Sequence, residues 1–386
     1  MKRIYMDHSA TTPLDPQVLQ AMLPFFSEKF GNASSLHSFG LEAKEALEDS
    51  RVRVAKLLGA DPEEIVFTSG GTESDNLALK GIARRNRGLG RHIITTQMEH
   101  PAILETCRKL GKEGFEVTYL PVTSQGLVEP AALEAAIRPD TILISVMHAN
   151  NEVGTIQPIE EIGRIAAEKD IYLHSDAVQS VGKIPTNVNA LGVDLLSLSA
   201  HKLYGPKGVG ALYIRRGTKI ESIVQGGGHE RGLRSGTENI PGIVGLGRAA
   251  ELCRERMDVD GQSLTKLSAR LAGKVLEKVK DAWVNGSMKR RLPGSLNFGF
   301  KYVEGESLLL FLDSKGIAVS TGSACSSHKL EPSHVLLSLG LKPEECHGSL
   351  RITMGRSNTE EEVDYVAECI VEAVDRFRGI SALGRD

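Results

Sequence analysis

No CxxC pair occurs in this chain, and its five cysteines (Cys107, Cys253, Cys325, Cys346 and Cys369) stand far apart. That excludes a zinc site of the usual ligand spacing and a disulfide framework. Scattered thiols of this kind suit a reducing compartment, where most serve as small apolar residues. No stretch approaches the roughly 20 apolar residues that a membrane-spanning helix needs. The opening residues, MKRIYMDHSATT, carry two basic side chains with no apolar run behind them. No secretory signal is encoded there, and the expected location is the cytoplasm. A net charge of −3 offers no general attraction to nucleic acid or to an anionic membrane, and neither is expected as a direct partner. Internal repeats and low-complexity tracts are also missing.

What remains is the composition of an ordinary globular protein, 41% hydrophobic and 25% charged, in a chain of 386 residues. That length suits two or three domains. Ala43, Ala46, Leu47, Val54, Leu57 and Leu58 recur at helical spacing. After them short β-rich runs (EEIVFTS, RHIITT, FEVTYLPV, DTILISVMH, IYLHSDA) alternate with helical segments. Their apolar cores are continuous rather than alternating, as in parallel strands buried on both faces. The fold class is therefore α/β, with a mostly parallel sheet and crossover helices. GVGALYIRR reads as a last strand of this unit, and the glycine-rich QGGGHERGLRSGTENIPG follows it. A long helical stretch from about Ile240 to Lys280 comes next, with an interruption expected near Asp258–Gly261. SLNFGF, GIAVSTG, SLRITMG and a closing helix from about Thr359 complete the chain. The pattern divides it into a large domain, residues 13–257, and a smaller α+β domain made of 1–12 and 258–386.

Three segments have the composition of a cofactor site. In SLSAHKLYGPKG, Lys202 lies directly behind an apolar strand. That position is poor for a solvated charge and good for a Schiff-base amine whose pKa falls on burial. Alone, such a lysine is more often structural. In HSDAVQS, Asp176 closes a strand at the sheet edge where open α/β folds bind ligands. A buried carboxylate there can keep a pyridine nitrogen protonated, and Gln179 can reach the ring hydroxyl from the same turn. The plain alternative for Asp176 is a helix cap. In TSGGTESDN, a strand, two glycines and a helix start could offer backbone N–H groups to a phosphate. Two superficially similar motifs fail. Gly245, Gly247 and Ala250 fit GxGxxA without a preceding strand, which points to a helix packing face, and GPKGVG has no Ser or Thr behind a Gly-Lys pair.

Taken together, YMDHSATTP, TSGGTESDN, MEHPA, HANNEVGT, HSDAVQS, SAHKLYGPKG, GGGHERGLRSGTEN, STGSAC and SLRITMGR run in order along nearly the whole chain. In this the sequence resembles the NifS/IscS-type cysteine desulfurases, fold-type I enzymes of the class V aminotransferase group. The resemblance implies pyridoxal 5'-phosphate held covalently by Lys202, with Asp176 on the pyridine nitrogen and Gln179 on the ring oxygen. His100 would stack on the ring and move protons, and Gly71, Thr72, Ser199 and His201 would hold the phosphate. Thr237 would reach the phosphate of a neighbouring subunit, so that the active unit is a homodimer. Asn150 would lie beside cofactor and substrate, and Arg351 would bind the carboxylate of L-cysteine.

The same resemblance makes Cys325 the acceptor of sulfur, leaving L-alanine and a Cys325 persulfide for an iron–sulfur scaffold or another acceptor. Its setting, STGSACSSHKLEPS, is small and polar and reads as a mobile loop. About ten such residues could span roughly 30 Å when extended. No metal site of the chain's own is expected, but Cys325 could share a nascent iron–sulfur cluster with a scaffold. Cys107, Cys253, Cys369 and Cys346 read as packing residues. A selenocysteine lyase, a small amino-acid transaminase of the same fold and a non-catalytic iron–sulfur assembly subunit are the alternatives. A transaminase has no use for STGSAC, and a non-catalytic subunit has no use for Lys202, Asp176 and His100.

Overall fold

The computed structural model describes residues 3–321 and 332–380. Seven strands form the central sheet: β1 (Ile65–Thr68), β2 (His92–Thr96), β3 (Glu116–Leu120), β4 (Thr141–Ser145), β5 (Tyr172–Asp176), β6 (Leu195–Ser199) and β7 (Gly210–Ile214). Their order across the sheet is β1-β7-β6-β5-β4-β2-β3. Neighbours are parallel from β6 through β3, whereas β7 runs antiparallel to both β6 and β1. Two reversals restore the direction, so β1 ends at the same edge as β2, β4, β5 and β6. Continuous apolar runs such as TILIS and LLSLS are buried along their whole length, as strands covered on both faces must be.

Helices α1 (Ser38–Leu58), α2 (Gly71–Arg85) and α3 (Pro101–Lys112) precede one much longer helix, α4 (Ile240–Lys278). The expected break near Asp258–Gly261 does not occur, and α4 continues for 39 residues. A helical glycine costs about 1 kcal/mol, which packing on either side outweighs. Asp260 is also held, by Arg256 at 3.3 Å and Arg356 at 3.3 Å. Gly245 and Gly247 lie on the packing face of α4. A Cβ on Gly247 would come within 2.8 Å of the Ser50 Cα, so α1 and α4 touch nearly backbone to backbone.

Two apolar cores share α4. Ile240, Ile243, Leu246 and Leu252 pack into the core around the seven-stranded sheet. Leu264, Leu267, Leu271 and Val275 pack into a second core with Ile4, Met6 and a three-stranded antiparallel sheet. That sheet comprises β8 (Ala282–Val284), β9 (Ser295–Phe300) and β10 (Ser349–Thr353), with β9 central. Within the described part of GIAVSTG, Ile317–Ala318 form a short strand paired in parallel with Ile4–Tyr5. No described helix is long and apolar enough to cross a membrane.

Candidate active site

The carboxyl ends of five strands converge on one edge of the sheet. Beyond β1 come Gly71 and Thr72, and beyond β2 comes His100. Asn150 follows β4, Asp176 ends β5 with Gln179 just beyond, and Ser199 ends β6, leading to His201 and Lys202.

Asp176 is buried, and its Oδ1 accepts the Val178 N–H at 2.9 Å. Its other oxygen bonds nothing among the described residues. Burial pushes the carboxyl pKa up, against the pull of His100, the Val178 N–H and Lys202. Asp75, on α2, is buried beside it. Burial, reinforced by Asp176, holds the Asp75 carboxyl well above the usual carboxylate range. Glu99 is a third buried acid, pushed up to about 8 mainly by burial while it accepts from Met147 N and the Thr96 hydroxyl. Of the three, Asp176 is the one on which His100 and Lys202 act to favour the charged form. It is the group placed to carry charge toward a bound pyridinium.

His100 is the N-cap of α3, and its Nδ1 accepts the Ala102 N–H at 3.1 Å. A neutral ring therefore keeps its proton on Nε2. Burial lowers its pKa, with Lys202 and His334 adding to the effect and Asp176 opposing it. Lys202 donates to the carbonyl oxygens of Ser9 and, at 2.7 Å, Ala10.

Helix α2 begins at the glycine turn with three N–H groups, those of Gly71, Thr72 and Glu73, that have no acceptor among the described residues. Ser199 faces this turn, with its Oγ 3.7 Å from where a Gly70 Cβ would stand. Gly70 itself has φ 152°, open mainly to glycine. The orphaned donors, the free carboxylate oxygen and the lysine fit pyridoxal phosphate: an anion cradle, a partner for a ring nitrogen and an amine for a carbonyl carbon. His201 is turned away from full charge, held at about 4 by burial and by Lys202, Lys207 and Lys183, and its Nδ1 meets the Thr11 hydroxyl at 3.2 Å.

Arg351 reaches the same region from β10. It is 3% exposed, with Nη2 on Asp7 at 2.9 Å and Nη1 on the Asn151 carbonyl at 3.4 Å, and its Nε has no partner among the described residues. Asn150 is almost fully committed: Nδ2 donates to the Met98 carbonyl, and Oδ1 accepts from Glu152 N and Val153 N. It can serve a substrate only by surrendering one of these bonds. Thr237 is exposed on this chain, in a segment tied to the glycine turn by the Arg234–Glu73 ion pair at 2.8 Å. Cys325 lies outside the described residues. Cys107, Cys253, Cys346 and Cys369 are all buried, and burial raises Cys346 to about 11, the state of an inert packing thiol.

Reasoning from sequence alone assigned no task to the segment 7–12, yet it stitches the site together. Asp7 pairs with Arg351, the Ser9 carbonyl accepts from Lys202 and Gln179, and Thr12 bonds the His201 carbonyl. The available signal was the polar, non-periodic run DHSATT within the motif YMDHSATTP.

The aminotransferase class-V family model matches residues 4–366. A cysteine desulfurase IscS from Dictyoglomus turgidum is 54% identical over 382 residues, 99% of this chain and 97% of the relative. A human cysteine desulfurase is 51% identical over 386 residues, covering 99% and 84%. Among solved structures, a NifS-like protein superposes with a TM-score of 0.92 at 44% identity, over 97% of this chain and all of the other. Strand-end chemistry, sheet order and kinship over the full length agree: the chain belongs to the aminotransferase class-V family, among its cysteine desulfurases of the IscS and NifS type.

Proposed function

We propose that this protein takes the sulfur from L-cysteine with pyridoxal phosphate bound at the strand-end site, releasing L-alanine and passing the sulfur to Cys325. The observation that carries the reading is Asp176, buried at the end of β5 with one oxygen unspent and with His100 and Lys202 acting on it. When bound, the cofactor supplies an electron sink that acidifies the substrate α-carbon. Lys202 is the amine that holds it and, once freed, the base beside that α-proton. Asp176 keeps the ring nitrogen protonated, and Gln179 donates to the ring oxygen. Gly71, Thr72, Ser199 and His201 surround the phosphate.

The Arg351 guanidinium, whose Nε has no partner among the described residues, takes the substrate carboxylate. His100 presents Nε2–H toward the thiol and ring, where it relays a proton. The Cys325 thiolate then forms a bond to the substrate sulfur as the Cβ–S bond breaks. In sum, L-cysteine and the Cys325 thiol become L-alanine and a Cys325 persulfide, so atoms and electrons balance. The persulfide serves iron–sulfur assembly or another acceptor. Thr237 completes the phosphate site of a second subunit in a homodimer.

The test is alanine release from L-cysteine by the loaded enzyme, with Lys202→Ala beside it. Turnover should vanish in the variant, and alanine release at the unaltered rate would remove Lys202 from its role.

A further inference from the structure

Behind the strand-end site lies a lysine with no task in the chemistry above. Lys183 follows β5 on a run of turns in which Val181 N bonds the Ala177 carbonyl and Lys183 N bonds the Ser180 carbonyl. Positions four apart on such a turn share a face. Lys183 Nζ accordingly meets Gln179 Oε1 at 3.2 Å. On the other side of that amide, Gln179 Nε2 donates to the Ser9 carbonyl at 3.0 Å. Gln179 itself is 5% exposed, so water does not supply alternatives freely.

The donor and acceptor chemistry of these neighbours leaves one orientation. An ammonium group only donates, so it must face the amide oxygen. A carbonyl only accepts, so Ser9 must face the amide nitrogen. Turning the amide over would set nitrogen against Lys183 and oxygen against Ser9, losing both bonds in a buried place. In the orientation that survives, Nε2 keeps a second N–H, the one available to the cofactor.

We propose that Lys183 is a positioning residue that locks the Gln179 amide with its N–H, rather than its carbonyl, toward the ring oxygen of the cofactor. This rests on the reading of Gln179 as the ring-oxygen partner. A glutamine free to turn would offer an acceptor to an anionic oxygen about as readily as a donor, and the pair would repel. Lys183 prevents that without touching the cofactor. Groups that act on its charge are Lys202 and Arg351, which are cationic, and Cys253, while His8 lies beside it in a small cavity. Burial first, then those cations, brings Lys183 down to about 7. Its hold on the amide is therefore charge-assisted, and confined to donation, only toward the acid side of neutrality; above it the neutral amine also accepts, and the Ser9 carbonyl alone demands the amide nitrogen.

The experiment follows the visible absorption band of the loaded enzyme, without substrate, across pH. A donor on the ring oxygen lowers the basicity of the attached chromophore. Its loss in Lys183→Met should move the titration midpoint up by ~0.5–1 pH unit. Lys183→Arg, which also only donates, should return the midpoint to that of the natural enzyme. Gln179→Leu should shift it at least as far, and the double variant no further, because the lysine acts only through the amide. A natural midpoint in Lys183→Met alongside a shifted one in Gln179→Leu overturns the positioning role alone. An unshifted Gln179→Leu overturns the ring-oxygen assignment, and this proposal with it. Should Lys183→Met fail to fold by thermal melting, Lys183→Gln takes its place. A neutral amide there should give an intermediate shift, and no shift would again refute the idea.

Discussion

Replacing Arg351 by lysine separates charge from geometry at the proposed substrate anchor. The guanidinium now divides its bonds: one Nη on Asp7 at 2.9 Å, the other on the Asn151 carbonyl at 3.4 Å, with Nε unpaired among the described residues. Its backbone is fixed on both sides by the reciprocal N–H and carbonyl bonds with Ser320 at 3.1 and 2.7 Å. A planar fork on a fixed strand can hold Asp7 and a substrate carboxylate together. A lysine ammonium is a single point, and the two carboxylates would compete for it. One charge-assisted hydrogen bond is then lost, about 1.5–3 kcal/mol. That converts to a fall of roughly 10- to 150-fold in kcat/KM for L-cysteine. The substrate carboxylate is unchanged during the reaction, so the loss should fall on KM, with kcat nearly kept. Alanine release measured across cysteine concentrations on the loaded Arg351→Lys enzyme decides the matter. Arg351→Ala is the blunter probe, because it also strands Asp7 without a partner. An unchanged KM in Arg351→Lys, with the fold intact by thermal melting, would refute the assignment.

Cys325→Ser should still bind the cofactor and show the spectral change on adding cysteine, yet yield no protein persulfide and no sulfide under reductant. Normal desulfuration by that variant would pass the acceptor role to another thiol. If Cys325 shares a nascent cluster with a scaffold protein, the iron–sulfur absorption of the co-purified complex should weaken in the serine variant, and unchanged signals would count against sharing. Mixed dimers of Lys202→Ala and Thr237→Val chains should regain one intact site and exceed either parent in activity, whereas a fully active monomer in sedimentation would end the shared-site reading. Gly247→Ala should lower stability by about 1–3 kcal/mol, since its Cβ would meet the Ser50 Cα at 2.8 Å. The exposed Gly273, which has nothing within 4 Å, should instead gain about 0.4–1 kcal/mol on the same change, so equal effects in denaturant melts would contradict the packing argument.

Asp176 and Lys202 were legible because one ends a strand and the other follows a strand within a short motif, and local order alone places them at the sheet edge. The strands themselves were legible through their continuous apolar runs. Lys183, Asp7 and Ser9 were not, since their meaning lies in partners such as Gln179 and Arg351. The bond between Gln179 and Ser9 joins residues 170 positions apart, and that between Arg351 and Asp7 joins residues 344 apart. No window of sequence contains both members of either pair. The break expected at Asp258–Gly261 failed for a related reason. Local composition there is unfavourable to a helix, and the decisive contacts come from Arg356 and from two cores that the window cannot see.

Helix α4 has a consequence for how the molecule comes apart. At 39 residues it runs about 58 Å and is common property of both cores. Neither core can melt alone without stripping the apolar face from half of a helix that the other still holds in place. The two should unfold as one cooperative unit. Cutting the chain near residue 257 would leave two stumps, each with four orphaned backbone groups and half an amphipathic stripe open to water. Helix α4 thereby acts with bonds such as Arg356–Asp15 and Ser333–Glu152 in holding Arg351 on one core near Asp176 on the other.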